Sequence, residues 1–238
     1  MENKITTIYC CYHNEVQNDA DSQFVWINGA DDPLNKFLCE FSAFRKIYET
    51  DMTSSYIGFC HYRRKIFKND IDYNWVDNEH CIAYSKMQKY PCSVDDCYGI
   101  RRWSNPKWFN CRNLYFDWID YIRQIGHTEY FEGDELTAKL GLFITHSCCV
   151  MTRYHFMNMC SYILGYFDYI DEKYQFNKMP SKYNEYTSNH IMDDSAAYMG
   201  TTRLFAYLGE WLVSNYIVTN FNQDSIKYLH KHAYLTNR

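Results

Sequence analysis

The chain has 238 residues, of which 47% are hydrophobic and 22% charged, a balance typical of a globular protein with a sizeable core. Its formal net charge of -5 argues against general nucleic-acid binding, which needs a basic surface. The aromatic share of 19% fits either a platform for sugars and bases or the codon bias of an AT-rich genome.

The first part of the chain predicts strands that alternate with a helix. Runs of β-branched and aromatic residues predict strands at Ile5–Cys11, Phe24–Ile27 and Tyr56–Cys60. Between the last two, a 3.6-residue apolar period predicts a helix over Leu34–Thr50, and an Asp-Pro pair just before it suits a helix start. The order strand, helix, strand predicts a parallel βαβ arrangement.

The second part predicts further helices around irregular segments. Residues 66–112 are polar and irregular, apart from a strand at Cys81–Tyr84. The elements predicted after them are a helix over Asn113–Ile125, two strands at Leu142–Thr145 and Cys148–Met151, a helix over Arg153–Tyr169, a polar loop or flap over residues 172–194, and a long helix that begins at Asp194 or Ser195 and ends near Thr219.

The cysteines are best explained as reduced thiols in the core. The sequence lacks the charged and apolar regions of a signal peptide, and no apolar run reaches the roughly 18 residues of a membrane span. We therefore expect a cytoplasmic protein without a transmembrane segment. The 11 cysteines are poorly spaced for zinc, because Cys10–Cys11 and Cys148–Cys149 are adjacent pairs.

Glu40 interrupts the apolar face of the predicted helix. At about 100° per residue, its side chain falls between Phe37 and Ile47. A carboxylate there must be paired or hydrogen-bonded, because burying an isolated charge costs free energy. We predict that Glu40 is buried and paired with a cation, either His61 or one of the two arginines that follow it.

Polar side chains follow two of the predicted strands, where ligands bind in open α/β sheets. These residues are Tyr12 and His13 after the first strand, and His61, Tyr62, Arg63 and Arg64 after the third. Adjacent arginines suit an anion, because a guanidinium group pairs bidentately with phosphate. The alternative is a solvated basic turn.

These segments resemble a family of bacterial capsule and exopolysaccharide glycosyltransferases long filed as a domain of unknown function. The most distinctive match is Tyr56–Arg64, where this chain has YIGFCHYRR and the family has YIGLCHYRR. Tyr9–His13 resembles the tyrosine-histidine end of the family's first strand, and Phe37–Ala43 resembles its helix with an embedded acid.

Two later segments extend the resemblance to most of the chain, from residue 9 to residue 212. Ser147–Met151 is similar to the family's NMFIM strand, with Ser147 in place of asparagine. Arg203 and Glu210 match an arginine and a glutamate seven residues apart on a late helix, where the alternative is a polar seam that holds the helix to the sheet. Residues 65–140 match poorly.

The resemblance implies a GT-A-like, Rossmann-like α/β fold with a mixed, mostly parallel sheet flanked by helices. It implies a single glycosyltransferase domain over residues 1–238, with a donor-binding half at 1–65 and the acceptor side and C-terminal helices at 66–220. The implied activity transfers a sugar from a nucleotide sugar, UDP-galactofuranose or another UDP-hexose, to a glycan or lipid-linked acceptor. Peripheral membrane contact is left open.

The resemblance also implies which residues form the site. The expected catalytic residues are Glu40, His61, Arg63 and Arg64, and the expected donor-binding residues are Tyr12, His13, Tyr62, Arg203 and Glu210. GT-A enzymes usually hold a divalent metal with an Asp-x-Asp motif, but a cationic strand end stands here instead. We therefore expect no cofactor, although the acidic pairs Asp95–Asp96 and Asp193–Asp194 could bind Mn²⁺ or Mg²⁺. Candidate bases for the acceptor hydroxyl are Glu132, Asp134, Glu135 and His146.

Two other classes of function compete with this one. A non-catalytic carbohydrate- or nucleotide-binding protein would keep the aromatic surface and lose turnover. An RNA-binding or nucleotidyl-transfer protein is indicated only by the arginine pairs, and the acidic net charge counts against it.

Overall fold

The structure, a computed structural model, describes residues 5–12, 23–29, 38–61, 66, 68–89, 112–132, 137–138, 142–190 and 204–229. The strands in these ranges are β1 (Thr6–Tyr12), β2 (Phe24–Asn28), β3 (Tyr56–His61), β4 (Cys81–Lys89), β5 (Phe131–Glu132), β6 (Thr137–Ala138), β7 (Leu142–Thr152) and β8 (Ile226–Leu229). The α-helices are α1 (Phe41–Thr50), α2 (Arg112–Ile125), α3 (Arg153–Tyr174), α4 (Pro180–His190) and α5 (Leu204–Asn220).

Six strands form one sheet in the order β2-β1-β3-β7-β4-β8. β1 pairs in parallel with β2 and β3, and β4 pairs in parallel with β8, whereas β7 runs antiparallel to both of its neighbours. β5 and β6 form a separate antiparallel pair. The predicted fold class, a mixed and mostly parallel sheet flanked by helices, is confirmed.

Helices α1, α3 and α5 cover one face of the sheet. The buried face of α1 rests on β3, where the ring of Phe44 lies 4.4 Å from that of Phe59. Phe44 also stacks on Phe156 of α3 at 5.4 Å, and Phe41 meets Phe167 of α3 at 5.7 Å. The 3.6-residue spacing of the aromatic residues along α1 therefore makes the contacts that hold it to both the sheet and α3.

On the opposite face of the sheet, the covering residues that the structure describes come from a segment without an α-helix. Ile66, Ile71 and Val76, from the segment after β3, are buried in one cluster with Ile8 and Val150 of the sheet. The irregular structure predicted for this segment is confirmed over residues 68–80, which form turns and one short 3₁₀ helix.

The loop predicted over residues 172–194 is wrong for part of its length. α3 continues to Tyr174, and Pro180–His190 forms α4. Local composition there is polar, but the buried ring of Tyr183 contacts Phe176 at 5.4 Å and Phe205 at 5.7 Å. This packing stabilises a helix that propensity alone would not favour.

Three further elements differ from the predictions. The two strands predicted at Leu142–Thr145 and Cys148–Met151 are one continuous strand, β7. The short edge strand β8 was not predicted, and it pairs with β4. The last helix ends at Asn220, close to its predicted end, while its predicted start lies outside the described residues.

The described cysteines are all buried and free of disulfides, which agrees with their predicted role as small core residues. They are Cys10, Cys11, Cys39, Cys60, Cys81, Cys148, Cys149 and Cys160. None of the helices in the described ranges combines the length and the apolar character needed to cross a bilayer.

Candidate functional site

The carboxyl ends of β1, β2 and β3 meet at one edge of the sheet, here called the carboxyl edge. Cys11 of β1 is level with His61 of β3, and Tyr12 is level with Asn28 of β2. The chain forms β2 on one side of β1 and then crosses to form β3 on the other, so the strand order reverses at β1. Because ligands of open α/β sheets bind at such a switch point, the carboxyl edge is the candidate site.

His61, the last residue of β3, is buried at this edge. Ile57 and Phe59 belong to the core beneath the helices, and the alternation of side chains along a strand places His61 on the same face. Its neighbour Cys11 belongs to that core as well. The carboxyl edge therefore carries an imidazole and a thiol side by side, below the helical layer.

Glu40 is 3% exposed, so its predicted burial is confirmed. It does not lie inside a continuous helix, however, because Cys39 has a left-handed backbone (φ 52°) and α1 begins at Phe41 with Glu40 as its N-cap. The continuous helix predicted through Glu40 is wrong at this point, since a left-handed residue cannot continue a right-handed helix. The break places the carboxylate at the positive end of the α1 dipole, which stabilises a negative charge.

Ser42 ties this helix start to the end of β2. Its hydroxyl donates to the carbonyl oxygen of Cys39 at 2.8 Å and to that of Gly29 at 3.2 Å. The hydroxyl therefore links the left-handed turn at Cys39 to the residue that follows β2. Glu40 is thereby fixed close to the carboxyl edge rather than on the outer surface of α1.

Ser147 of β7 contacts Glu40 across the sheet edge. Its hydroxyl donates to Oε1 of Glu40 at 3.5 Å, a long hydrogen bond, and Ser147 is fully buried. Its backbone is left-handed as well (φ 55°). The described chain has three non-glycine residues with positive φ, and two of them, Cys39 and Ser147, flank this carboxylate. Strained backbone of this kind clusters at functional sites.

Cys11 shares the environment of Glu40, and its surroundings favour the neutral thiol. Burial raises the pKa of its thiol well above the usual value, and the negative charge of Glu40 raises it further. The thiolate, which is the reactive form of cysteine, is therefore disfavoured. We conclude that Cys11 contributes packing and a neutral surface beside the carboxylate.

Tyr12 and Glu210 are two of the predicted donor-binding residues, and they lie in different layers of the molecule. The ring of Tyr12 lies on the opposite face of the sheet, edge-on to Trp26 at 6.0 Å. Glu210 is buried on α5 directly after Gly209, which packs against the ring of Phe41. Gly209 and Phe41 form a contact between α5 and α1. Glu210 directly follows Gly209 in the sequence, and Glu40 directly precedes Phe41.

The stem, defined here as the paired strands β4 and β7, extends past the carboxyl edge. Phe59 pairs with Cys149, so Ser147 stands at the level of His61 and residues 142–146 continue beyond it. At about 3.3 Å per residue this overhang measures about 16 Å. β4 runs beside it as far as Lys89, which pairs with Leu142. The stem therefore forms a side wall of the candidate site.

Several predicted site residues lie outside the described residues, and their roles stay predictions. They are His13, Tyr62, Arg63, Arg64 and Arg203, the acidic pairs Asp95–Asp96 and Asp193–Asp194, and the candidate bases Asp134 and Glu135. Glu132 and His146 lie in β5 and β7, but their side chains are not described. In the described part of the chain, no group of three or more His, Cys, Asp and Glu side chains could hold a metal ion.

The contact made by Ser147 was not predicted from the sequence. Two signals marked this position: the polar pair His146–Ser147 between two apolar runs, and the match of Ser147 to an asparagine of the resembled family. Neither of them indicates a contact with Glu40. A polar residue inside a central strand indicates either a bend or a buried partner, and here it has both.

Comparison with known proteins supports the fold. The sequence matches no protein-family model and no curated protein. Its structure is similar to that of the apo form of the bifunctional glycosyltransferase WbbM, with a TM-score of 0.56 and 15% sequence identity. The match covers 94% of this chain and 44% of that chain, so the present chain spans less than half of the WbbM chain. At this identity the similarity shows a shared fold.

Proposed function

We propose that this protein is a glycosyltransferase that moves a sugar from a nucleotide-sugar donor to a glycan or a lipid-linked acceptor. The observation that carries the proposal is the group formed by Glu40, His61 and Ser147 at the switch point of the sheet. The fold similarity to a glycosyltransferase supports it, and so does the HYRR sequence that continues from His61. UDP-galactofuranose or another UDP-hexose is the proposed donor, and surface polysaccharide is the proposed product.

The chemistry suits a cationic strand end. Transfer forms a bond between an acceptor oxygen and the anomeric carbon and breaks the bond from that carbon to the diphosphate. Negative charge builds up on the departing nucleoside diphosphate, and fixed donors at that position lower the barrier. Arg63 and Arg64 are the proposed donors, and Glu40 is proposed to orient one of these cations or His61. A carboxylate or imidazole of the acceptor side takes the proton of the acceptor hydroxyl.

The first prediction concerns the donor site. A nucleoside diphosphate that binds only the folded protein, present at about 100 times its dissociation constant, should stabilise the fold by roughly 2.7 kcal/mol. A thermal-shift screen of UDP, GDP, CDP, dTDP and their sugars, with and without Mn²⁺ and Mg²⁺, measures this directly. A shift with one nucleotide is expected, whereas no shift at millimolar concentration with any of them would contradict the proposed donor site.

Product analysis separates the enzyme from a binding protein. Incubation with the stabilising nucleotide sugar and a range of saccharide acceptors should release the free nucleotide and extend the acceptor. Binding without release or transfer would favour a non-catalytic carbohydrate- or nucleotide-binding protein.

The second prediction concerns metal. We propose that the two arginines do the work that a divalent metal does in most GT-A enzymes, so transfer should survive EDTA. Replacing Arg63 or Arg64 by Ala should lower the rate by about 10²–10³, the typical loss on removing one such donor. Lys at either position should restore only part of the rate, because it cannot form two parallel hydrogen bonds.

Arg123→Ala, at an exposed arginine in the last turn of α2, is the matched control and should keep the rate of the unmodified protein. Activity that disappears with EDTA and returns with Mn²⁺ would show that the leaving-group site has been placed wrongly.

A further inference from the structure

Ser147 combines three unusual properties at one position. It is a non-glycine residue with a left-handed backbone inside a β-strand, and its side chain is fully buried. Residues other than glycine rarely adopt a left-handed backbone, because Cβ then crowds the neighbouring backbone atoms. The hydroxyl meets Oε1 of Glu40, a residue 107 positions away in the chain. The local conformational cost of Ser147 thus coincides with a long-range polar contact.

We infer that Ser147 is a positioning residue for the proposed glycosyltransferase site, because its left-handed backbone aims the hydroxyl at Glu40 and fixes the orientation of that carboxylate. The catalytic meaning of this inference rests on the proposed function, whereas the contact between the two side chains does not. Ser147 itself touches no reacting atom in this scheme and acts only through Glu40.

A fixed donor matters here because several groups surround the carboxylate. Cys11 and Cys39 lie close to it, and His61 is at the level of Ser147 on the adjacent strand. Glu210 is a second buried acid, next to the contact between α5 and α1. The Ser147 hydroxyl gives Oε1 a donor on one side, and this hydrogen bond favours one orientation of the carboxylate relative to the switch point.

The expected kinetic effect lies in kcat. Charge grows on the leaving diphosphate during transfer, so an error in the orientation of the supporting groups costs more in the transition state than in the bound ground state. Removing the hydroxyl should therefore lower kcat by about tenfold, the lower end expected for a hydrogen bond to a charged group. The KM for the donor should change by less than about twofold.

Ser147→Gly is the decisive variant. Glycine accepts the left-handed conformation without strain, so the backbone stays in place while the hydroxyl is lost. A purely structural role would leave kcat unchanged in this variant and would leave the fold as stable or more so. Ser147→Ala lacks the same hydroxyl and provides a second test if the glycine variant does not fold. Ser147→Asn retains a donor and tolerates this backbone, and it should recover part of kcat.

Two controls isolate the contact. Gln175, at the end of α3, is the third left-handed residue and is far from Glu40 in the chain. Gln175→Gly relieves the backbone strain there and should leave kcat unchanged. In a Glu40→Gln background, Ser147→Gly should cause no further loss, because the two side chains act as one unit. Fully additive effects, or an unchanged kcat in both the glycine and alanine variants, would overturn the inference.

A readout without turnover distinguishes this inference from the proposed function. In protein labelled with [¹³C]glutamate, the side-chain carboxyl resonance of Glu40 is identified by its loss in Glu40→Gln. That resonance should move in Ser147→Gly and stay in place in Gln175→Gly. If no nucleotide sugar is a donor, the proposed function fails, and this resonance alone decides whether Ser147 holds Glu40. An unmoved resonance would overturn the inference.

Discussion

At the scale of single residues, His155 at the start of α3 is held by both ring nitrogens. Nε2 lies 2.8 Å from the carbonyl oxygen of Asn78, and Nδ1 lies 3.1 Å from the hydroxyl of Tyr216. A carbonyl can only accept, so Nε2 carries the proton and Nδ1 accepts from Tyr216. Burial lowers the pKa of this imidazole below its usual 6.5, against the opposing effect of the bond to Asn78.

This arrangement predicts a loss of stability in mild acid. The unfolded chain binds a proton at His155 more readily than the folded chain does. The contribution of neutral His155 to the unfolding free energy is therefore complete above pH 6.5, and it is lost as the pH falls toward the lowered pKa of the folded state. Between pH 7.5 and 5.5, His155 should account for up to about 1.4 kcal/mol of the decrease in unfolding free energy. Urea titrations of His155→Gln should show a correspondingly smaller decrease. An equal decrease in His155→Gln and in the unmodified protein would contradict this role of His155.

Asp51 is a second buried polar residue, at the opposite end of the sheet from the candidate site. Its carboxylate accepts from the hydroxyl of Tyr9 at 2.8 Å and from the backbone amides of Thr53 and Ser54 at 3.1 and 3.0 Å. Burial alone would raise the pKa of this carboxyl, but the hydrogen bonds, chiefly from Ser54, outweigh it and lower the pKa. The ionised form is therefore part of the folded structure.

Replacement of Asp51 by Ala should destabilise the fold by about 2–4 kcal/mol, because several buried donors lose their acceptor. In the unmodified protein this contribution is present above the unfolded carboxyl pKa near 3.8 and is lost as the pH falls through the lower folded value. Chemical denaturation at pH 7 measures the loss, with the exposed Asp224→Ala as control. A change below about 0.5 kcal/mol would contradict the predicted role.

At the scale of elements, the contact between α1 and α5 depends on a residue without a side chain. A Cβ added at Gly209 would lie 2.0 Å from Cε2 and 2.3 Å from Cζ of Phe41. The Phe41 ring is fully buried, so it cannot move aside without disturbing the core. Gly209 thus lets α5 approach α1 closely and brings Glu210 toward the layer that contains Glu40.

Gly209→Ala should consequently lower the melting temperature, with a loss of about 1–3 kcal/mol from overpacking, although Ala has the better helix propensity. Shortening the opposing ring in a Gly209→Ala/Phe41→Leu double variant should recover part of this loss relative to the sum of the single variants. Strictly additive single effects in thermal unfolding would show that the two residues do not meet as described.

The helices and strands differ in how far the sequence predicts them. The period of Phe41, Phe44 and Ile47 predicted α1 and its buried face, since local spacing determines which side chains share a face. The break at Cys39 and the bend at Ser147 were not predictable, because both conformations depend on contacts with distant parts of the chain. The same holds for α4, which aromatic packing stabilises in a stretch of polar composition.

At the scale of the whole molecule, the two ends of the sheet have different characters. The amino end holds the Asp51 group, in which the carboxylate accepts from Thr53 and from the buried Ser54. The carboxyl edge holds a buried acid between two left-handed residues. The burial of Glu40 and the edge at which His61 ends its strand were both predicted from the sequence. The contact of Glu40 with Ser147 was not, because no local pattern encodes a contact between residues 107 positions apart.

The stem has a consequence for how proteins of this architecture diversify. Lys89 and Leu142 are paired at its tip, and adjacent strands lie about 5 Å apart, so the chain between them leaves and returns at nearly one point. That stretch contains α2, β5 and β6, and a change of length between Lys89 and α2 alters none of these elements and no register within the six-stranded sheet. Loop-closure entropy grows slowly with length, so a change at that position is thermodynamically mild. One part of the molecule can therefore acquire new recognition surfaces while the switch point keeps its geometry.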